Sequence, residues 1–283
     1  MAQELGFYKE AGLNVTLAEF QAGAKALEAL MGGSTDVVCG FYDHTIQMAA
    51  QGKDLRAFVA IVRYPGMVLV SPGIATIEGL KGKTVGVTAP GSSTHMLLNY
   101  LLFTHGMKAD DVSNTSIGST GTAIGAVTHK KVDAAVMTEP ALAIVRKQVP
   151  GLHILADTRT AEGVRAAFGV DNYLASVLYS KTEWVEKNRE VARQLAVAMT
   201  RTLTWMRTHS AEELREKMPA SYRTEDVPGD LELLRTAQAM LSPDGKFTPG
   251  AVEAVHKVLS TSLESVRTAN IDLSKTYTNE LIP

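Results

Sequence analysis

The sequence predicts an α/β protein made of two similar lobes. Three observations favour this class: an internal repeat, an alternation of strands and helices through the first 180 residues, and a change to helices alone after Ser180. At 283 residues the chain is long enough for two compact domains with their own cores. A cleft between two such lobes is a common binding place for small molecules.

The repeat consists of a small-residue helix, a polar turn, and an aspartate that opens a short apolar strand. The first copy begins at Ala26 and the second begins ninety-seven residues later, at Ala123. A glycine turn precedes each helix. A unit of this length is too long for a solenoid repeat and suits half of a doubly wound α/β domain.

Apolar runs and turn residues predict the individual elements. The runs are almost continuous, which is typical of parallel strands covered on both faces. The predicted strands are 15–20, 37–41, 55–62, 67–70, 84–88, 113–117, 132–137, 152–156 and 174–179. The predicted helices include 94–105 and, after Ser180, 184–188, 189–209, 211–217, 231–241 and 251–265.

Two segments are predicted to cross between the lobes. The chain crosses at 72–76 and returns at 169–173, which places residues 1–73 and 175–283 in lobe one and residues 74–174 in lobe two. Two crossings make a hinge, so we expect the lobes to close on a ligand.

Composition excludes several classes of function. The net charge is −2 and no run of Lys or Arg is present, so a nucleic-acid partner is not expected. The single cysteine, Cys39, excludes an internal disulfide and a multi-cysteine metal site, and we expect it to be a small core residue. No apolar run approaches the ~20 residues that span a bilayer. We expect neither a metal nor a cofactor.

Several segments in register resemble a known family across the first 180 residues. Segments 6–15 (GFYKEAGLNV) and 80–87 (LKGKTVGV) are similar to the opening motif and second-lobe entry of substrate-binding proteins from ABC importers of the nitrate/sulfonate/taurine type. Segment 91–95 (GSSTH) resembles their ligand loop. The resemblance implies a type II periplasmic-binding fold, a periplasmic location, and capture of a small, often anionic, organic solute for a membrane permease.

The loop before the helix at 94–105 is the strongest candidate for binding. Gly91, Ser92, Ser93 and Thr94 follow a strand and open a helix, where backbone N–H groups, hydroxyls and the helix dipole suit an anion. Capping of the helix by the same hydroxyls is the alternative. His95 completes this segment, and capping is also open for it.

Other residues just past strand ends are predicted to line the cleft, because that edge of an α/β sheet faces the ligand. Each also has a structural interpretation: core packing for the aromatic residues, a surface ion pair for arginine, helix initiation for glutamate. These candidates are Gln21, Gly23, Phe41, Tyr42, Arg63, Gly121, Thr138, Glu139, Asn172 and Tyr173.

An enzyme of the same fold is the alternative function, acting on a pyrimidine or an aromatic carboxylate precursor. A pyrimidine-synthase type would need a cysteine-rich metal segment, and one cysteine does not supply it. Ser-His-Asp, His-Glu-x-x-His and phosphate-loop motifs do not occur at usable spacing. We therefore expect a binding protein without catalytic residues.

The repeat also predicts a strand upstream of Met1. In lobe two the strand at 84–88 and its loop precede the repeat, whereas in lobe one only the helix at 1–8 does. The family resemblance implies a strand, and a signal peptide before it, ahead of this start. We expect lobe one's sheet to lack a strand between 15–20 and 37–41, and lobe one to be the less stable lobe.

Overall fold

The computed structural model describes residues 1–283 and contains two β-sheets surrounded by helices. The strands are β1 (Val38–Phe41), β2 (Leu55–Ala60), β3 (Val68–Ser71), β4 (Thr84–Val87), β5 (Ser113–Ser116), β6 (Ala134–Met137), β7 (His153–Asp157) and β8 (Ser176–Lys181). The helices up to β8 are α1 (Phe7–Glu10), α2 (Gly23–Gly32), α3 (Asp43–Ala50), α4 (Ser93–Thr104), α5 (Gly121–Thr128), α6 (Ala141–Gln148) and α7 (Ala161–Phe168). Those after β8 are α8 (Thr182–Lys187), α9 (Arg189–Thr208), α10 (Ala211–Lys217), α11 (Val227–Met240), α12 (Pro249–Ser262) and α13 (Glu264–Thr268).

The helix–turn–strand repeat is present in both halves, as α2 with β1 and as α5 with β6. Strand β1 belongs to a three-stranded sheet of order β1-β8-β2, and β6 to a five-stranded sheet of order β5-β4-β6-β3-β7. We call the parts of the chain around these sheets lobe one and lobe two. The prediction of a two-lobed α/β fold is confirmed.

The sheets are mixed, and the prediction of parallel strands is wrong for most pairs. Strand β8 runs antiparallel to both β1 and β2, and β3 runs antiparallel to β6 and β7. The only parallel pairs among these strands are β4 with β5 and β4 with β6. Strands β2, β3 and β6 are buried on both faces, and such burial gives continuous apolar runs in either arrangement.

The first predicted crossing is displaced. Strand β3 pairs within the sheet of lobe two, so the chain leaves lobe one between Ala60 and Val68 and not at 72–76. The return lies just before β8, where the amide of Ala175 donates to the Val62 carbonyl at 3.0 Å. The two crossing segments are therefore hydrogen-bonded to each other.

The predicted strand at 15–20 does not form. Leu17 and Phe20 on this segment are exposed, and the three-stranded sheet ends at β1. With no neighbouring strand to pair its backbone groups, the segment has no ladder to join. The expectation of a further strand upstream of Met1 stays a prediction.

The prediction that Cys39 lies in the core is wrong. Cys39 is exposed, whereas its neighbour Val38 is 4% exposed. Side chains alternate along a strand, so turning Val38 toward the core turns Cys39 away from it.

Helix α12 links the two lobes through apolar packing. It packs against α3 of lobe one and α4 of lobe two. Val255 and Leu259 of α12 belong to the same core cluster as Leu97 and Leu101 of α4. Pro249 lies in the first turn of α12, where its missing N–H costs no helical hydrogen bond. The core is thus continuous across one side of the lobe boundary.

Replacing Tyr42 by phenylalanine should lower the stability of the core by about 1 kcal/mol. Tyr42 is fully buried, and its hydroxyl bonds to Thr276, which itself donates to the Leu273 carbonyl. The variant Tyr42→Phe removes the buried donor to Thr276. Urea unfolding measures the change, and Tyr222→Phe, at an exposed tyrosine, is the control. Equal unfolding midpoints for the two variants would contradict this account.

Candidate functional site

Helix N-termini from both lobes meet at one place. Helices α2 and α3 of lobe one begin opposite the starts of α4 and α5 of lobe two. Ser93 donates its hydroxyl hydrogen to Asp43 Oδ1 at 2.9 Å, and the Ala24 amide donates to Ser92 Oγ at 3.0 Å. Nearby, Thr120 donates to Gln21 Oε1 at 3.2 Å. We call this set of residues the interlobe contact.

The predicted serine loop lies at the interlobe contact, and its hydroxyls already have partners. Ser92 and Ser93 bond across the boundary to lobe one. Thr94 instead stays within lobe two, where its Oγ1 accepts from the Thr88 amide at 3.0 Å. His95 Nδ1 accepts from the amide of Gly91, whose φ of 81° suits glycine. Thr94 and His95 therefore hold the loop in shape.

A buried acid and a buried histidine lie beside the loop on α3. Asp43 is 1% exposed and His44 is 0% exposed. Asp43 Oδ2 and His44 Nε2 have no hydrogen-bond partner. His44 Nδ1 lies 3.1 Å from the Tyr179 hydroxyl. Burial raises the pKa of Asp43 and lowers the pKa of His44, so the imidazole is neutral near pH 7.

Glycine allows the close approach of backbone to ring at two points here. A Cβ at Gly23, the first residue of α2, would lie 3.0 Å from His44 Cε1. A Cβ at Gly40 would lie 3.0 Å from Tyr179 Cε1. Gly23 is a predicted site residue, and the structure places it against the buried histidine.

The two aromatic residues predicted to stack on the ligand differ in position. Tyr42 lies in the core, with its ring 6.0 Å from that of Phe247, so the structural interpretation holds for it. Phe41 is half-buried and packs against the same core cluster. Tyr173 is buried and stacks on Phe168 at 4.5 Å. Burial raises the pKa of Tyr173, and the nearby Asp43 charge raises it further.

The predicted charged candidates form hydrogen bonds with groups that do not belong to the interlobe contact. Arg63 is exposed and donates to the Ala239 carbonyl at 3.0 Å. Glu139 accepts from the Ala143 amide at 2.9 Å and from Arg159 Nη1 at 3.1 Å. Glu139 thus caps α6 and pairs with arginine, as its helix-initiation interpretation requires.

The remaining candidates are less buried than the serine loop. Gly121 and Asn172 are exposed, and Thr138 is half-buried. Asn172 lines a surface groove of about 440 Å³ together with Glu253 and Lys257 of α12. No hydrogen bond connects Asn172 or Thr138 with the interlobe contact.

Sequence reasoning omitted Asp43 from the site. The signal was present, because Asp43 follows β1 at the position that Glu139 occupies after β6. An aspartate in the first turn of a helix also has an ordinary explanation in the helix dipole. Only the structure reveals that this carboxylate is buried at the lobe boundary.

A family model decides where the chain belongs. The model described as NMT1/THI5 like matches residues 1–213. The chain is a member of the NMT1/THI5-like family. This membership confirms the resemblance seen in the sequence.

Curated relatives of this NMT1/THI5-like chain are named only as binding proteins. A protein of Brucella abortus (strain 2308) is 30% identical over 199 residues, covering 70% of this chain and 59% of the relative. YtlA of Bacillus subtilis is 23% identical over 235 residues, covering 80% of this chain and 67% of the relative. The chain spans about three-fifths of the length of the Brucella relatives that it matches.

Solved structures share the fold. A Bordetella bronchiseptica protein has a TM-score of 0.93 at 34% identity, covering 99% of this chain and 89% of that one. The alkanesulfonate-binding protein SsuA of Xanthomonas axonopodis has a TM-score of 0.74 at 19% identity, with coverage of 98% and 92%. The nitrate-binding protein NrtA of Synechocystis has a TM-score of 0.71 at 14% identity, with coverage of 99% and 82%.

Two further features bear on the site and its surroundings. No group of three or more His, Cys, Asp or Glu side chains is arranged to hold a metal ion. No helix combines the length and the apolar character needed to cross a membrane.

Replacing Arg159 by methionine should make lobe two less stable near pH 7 and less sensitive to acid. Partial burial would raise the pKa of Asp157, but hydrogen bonds from Arg159 outweigh it and hold that pKa below its ordinary value. A depressed pKa stabilises the fold above about pH 4 and loses that effect as the pH falls through the folded-state value. We expect a loss of roughly 1–2 kcal/mol at pH 7 that shrinks toward pH 3.

Urea unfolding at both pH values measures this difference. Arg193→Met is the matched control, because Arg193 pairs with Glu190 on an exposed helix surface and contributes little. A constant difference between Arg159→Met and wild type from pH 7 to pH 3 would contradict the account.

Proposed function

We propose that this chain acts outside the cytoplasmic membrane, where it captures a small organic solute between its lobes. It then delivers the solute to the permease of an ABC importer. The observation that carries the proposal is the interlobe contact itself. Polar groups at the N-termini of helices from both lobes converge there, and Ser93 Oγ lies 2.9 Å from Asp43 Oδ1. Membership of the NMT1/THI5-like family and the SsuA-like and NrtA-like folds support the same reading.

The solute would bind where the interlobe contact now forms. Gln21, Gly23, Ser92 and Ser93 lie at that boundary. The hydrogen bonds that Gln21, Ser92 and Ser93 make across it would be exchanged for bonds to the ligand. The lobes would part about the two paired crossing segments, which the Ala175–Val62 hydrogen bond holds together. Helix α12 packs on both lobes, so it would shift against α4 during opening.

A panel of small anions, amines and heterocycles tested by thermal shift should include a compound that stabilises the protein. A ligand at one hundred times its dissociation constant adds about 2.7 kcal/mol of stability. Gly23→Ala should lower the affinity for that ligand about fivefold, because the added methyl crowds His44. Calorimetric titration measures the affinities.

Gly32→Ala is the matched control, since it lies on the same helix and a Cβ there meets no atom within 4 Å. Unchanged affinity of Gly23→Ala would place the ligand elsewhere. Mass spectrometry of the incubated ligand separates the two functions: an unaltered ligand supports a binding protein, and a new product supports the enzyme alternative.

A further inference from the structure

Asp43 has one carboxylate oxygen that the protein leaves without a partner. Its Oδ1 accepts from Ser93, while Oδ2 has no hydrogen bond although the residue is 1% exposed. A carboxylate offers about four acceptor positions, and an unsatisfied buried one is costly. Buried polar atoms without partners are uncommon, so this oxygen calls for an explanation.

His44 presents a second unpartnered atom near the first. Its Nε2 lies 4.0 Å from Asp43 Oδ1 and has no hydrogen bond. Burial lowers the pKa of His44, so the imidazole does not neutralise the neighbouring carboxylate near pH 7. The Tyr179 hydroxyl already occupies the other ring nitrogen.

Cationic side chains on the cleft segments are also engaged elsewhere. Lys25, in the first turn of α2, pairs with Glu28 at 2.8 Å. Arg63 donates to a backbone carbonyl, and Arg159 pairs with Asp157 and Glu139. The Asp43 carboxyl group is therefore an acidic group at the interlobe contact without a cationic partner in the protein, and burial raises its pKa.

We propose that the cleft binds a solute through an ammonium or amidinium group that donates to Asp43 Oδ2. This inference rests on the proposed solute-binding function and names the chemical class of the solute. An N⁺–H···O⁻ hydrogen bond is among the strongest that proteins form.

An anionic solute fits this wall poorly. Its charge would face the Asp43 carboxylate, and like charges within one buried site repel strongly. The hydroxyls expected to hold an anion are bonded to Asp43, to Ala24 and to Thr88. The competing arrangement has Asp43 protonated, so that Oδ2 donates to an anion. The two arrangements select ligands of opposite charge: ionised Asp43 selects a cation, and protonated Asp43 selects an anion.

Four probes of similar size distinguish them: benzylamine, benzamidine, benzoate and benzenesulfonate. Calorimetric titration of the full chain should detect binding of at least one of the two cations and of neither anion. Asp43→Asn should lower the affinity for the cation about tenfold or more. Asp54→Asn, at an exposed aspartate in the turn before β2, should leave binding unchanged. The thermal unfolding midpoint without ligand checks that each variant folds.

Ser93→Ala keeps the test decisive if Asp43→Asn does not fold. It removes the donor to Oδ1 and leaves the carboxyl group, so the preference for the cations over the anions should persist or increase, whatever the change in affinity. An anion held by the serine hydroxyl would bind more weakly to this variant.

Three results would overturn the inference: binding of benzoate or benzenesulfonate without binding of a cation, cation binding that Asp43→Asn leaves intact, and no binding of any probe. The first two leave the proposed solute-binding function standing. If no compound of the thermal-shift panel stabilises the protein either, the proposed solute-binding function is also contradicted.

Discussion

The structure depends on the return of the chain into the middle of lobe one's sheet. Strand β8 lies between β1 and β2 and is antiparallel to both, so it joins these two strands into one sheet. Its approach fixes the lobe boundary, because Ala175 just before it accepts from the Tyr42 amide at 2.9 Å and donates to Val62 at 3.0 Å. Asp43 follows Tyr42 directly. The strand order of one sheet thus places the buried carboxylate where the lobes meet.

The two sides of the lobe boundary differ in chemistry. On one side α12 packs apolar residues against α3 and α4, and separating them would expose apolar surface at about 25 cal/mol per Å². On the other side the contact consists of hydrogen bonds such as Ser93–Asp43, which water replaces at small net cost. Opening should therefore begin at the polar side and proceed about the paired crossing segments, with the α12–α4 packing the last contact to shift.

The sequence predicted the architecture well because its signals are local. The repeat, the apolar runs and the glycine turns located all eight strands and the long helices, and one further predicted strand, 15–20, does not form. The failures concern pairing. Residues 15–20 have strand character but no partner, and β3 joined the other sheet because register and neighbour are set by long-range contacts. Parallel and antiparallel buried strands also share one apolar pattern.

The segments that meet at the lobe boundary were predictable from the sequence, but the hydrogen-bond partners of their side chains were not. The loop at 91–95 and the start of α2 were expected at the cleft, and the structure brings Ser92 and Ser93 into contact with lobe one. The sequence does not show which partner each of these side chains contacts or how deeply it is buried. Tyr42 and Glu139 have core and capping roles, and Asp43 was recognisable only as an ordinary helix-start acid until its burial was known.

The position of Cys39 makes the native protein suitable for single-site labelling. It is the sole cysteine, it is exposed, and it lies on β1 two residues before the strand ends at Phe41. A maleimide dye would attach to lobe one at one known point without any substitution, at alkaline pH, because desolvation raises the pKa of the thiol to about 11. A second dye on a cysteine introduced at an exposed position of lobe two would then report the distance between the lobes in solution, one molecule at a time.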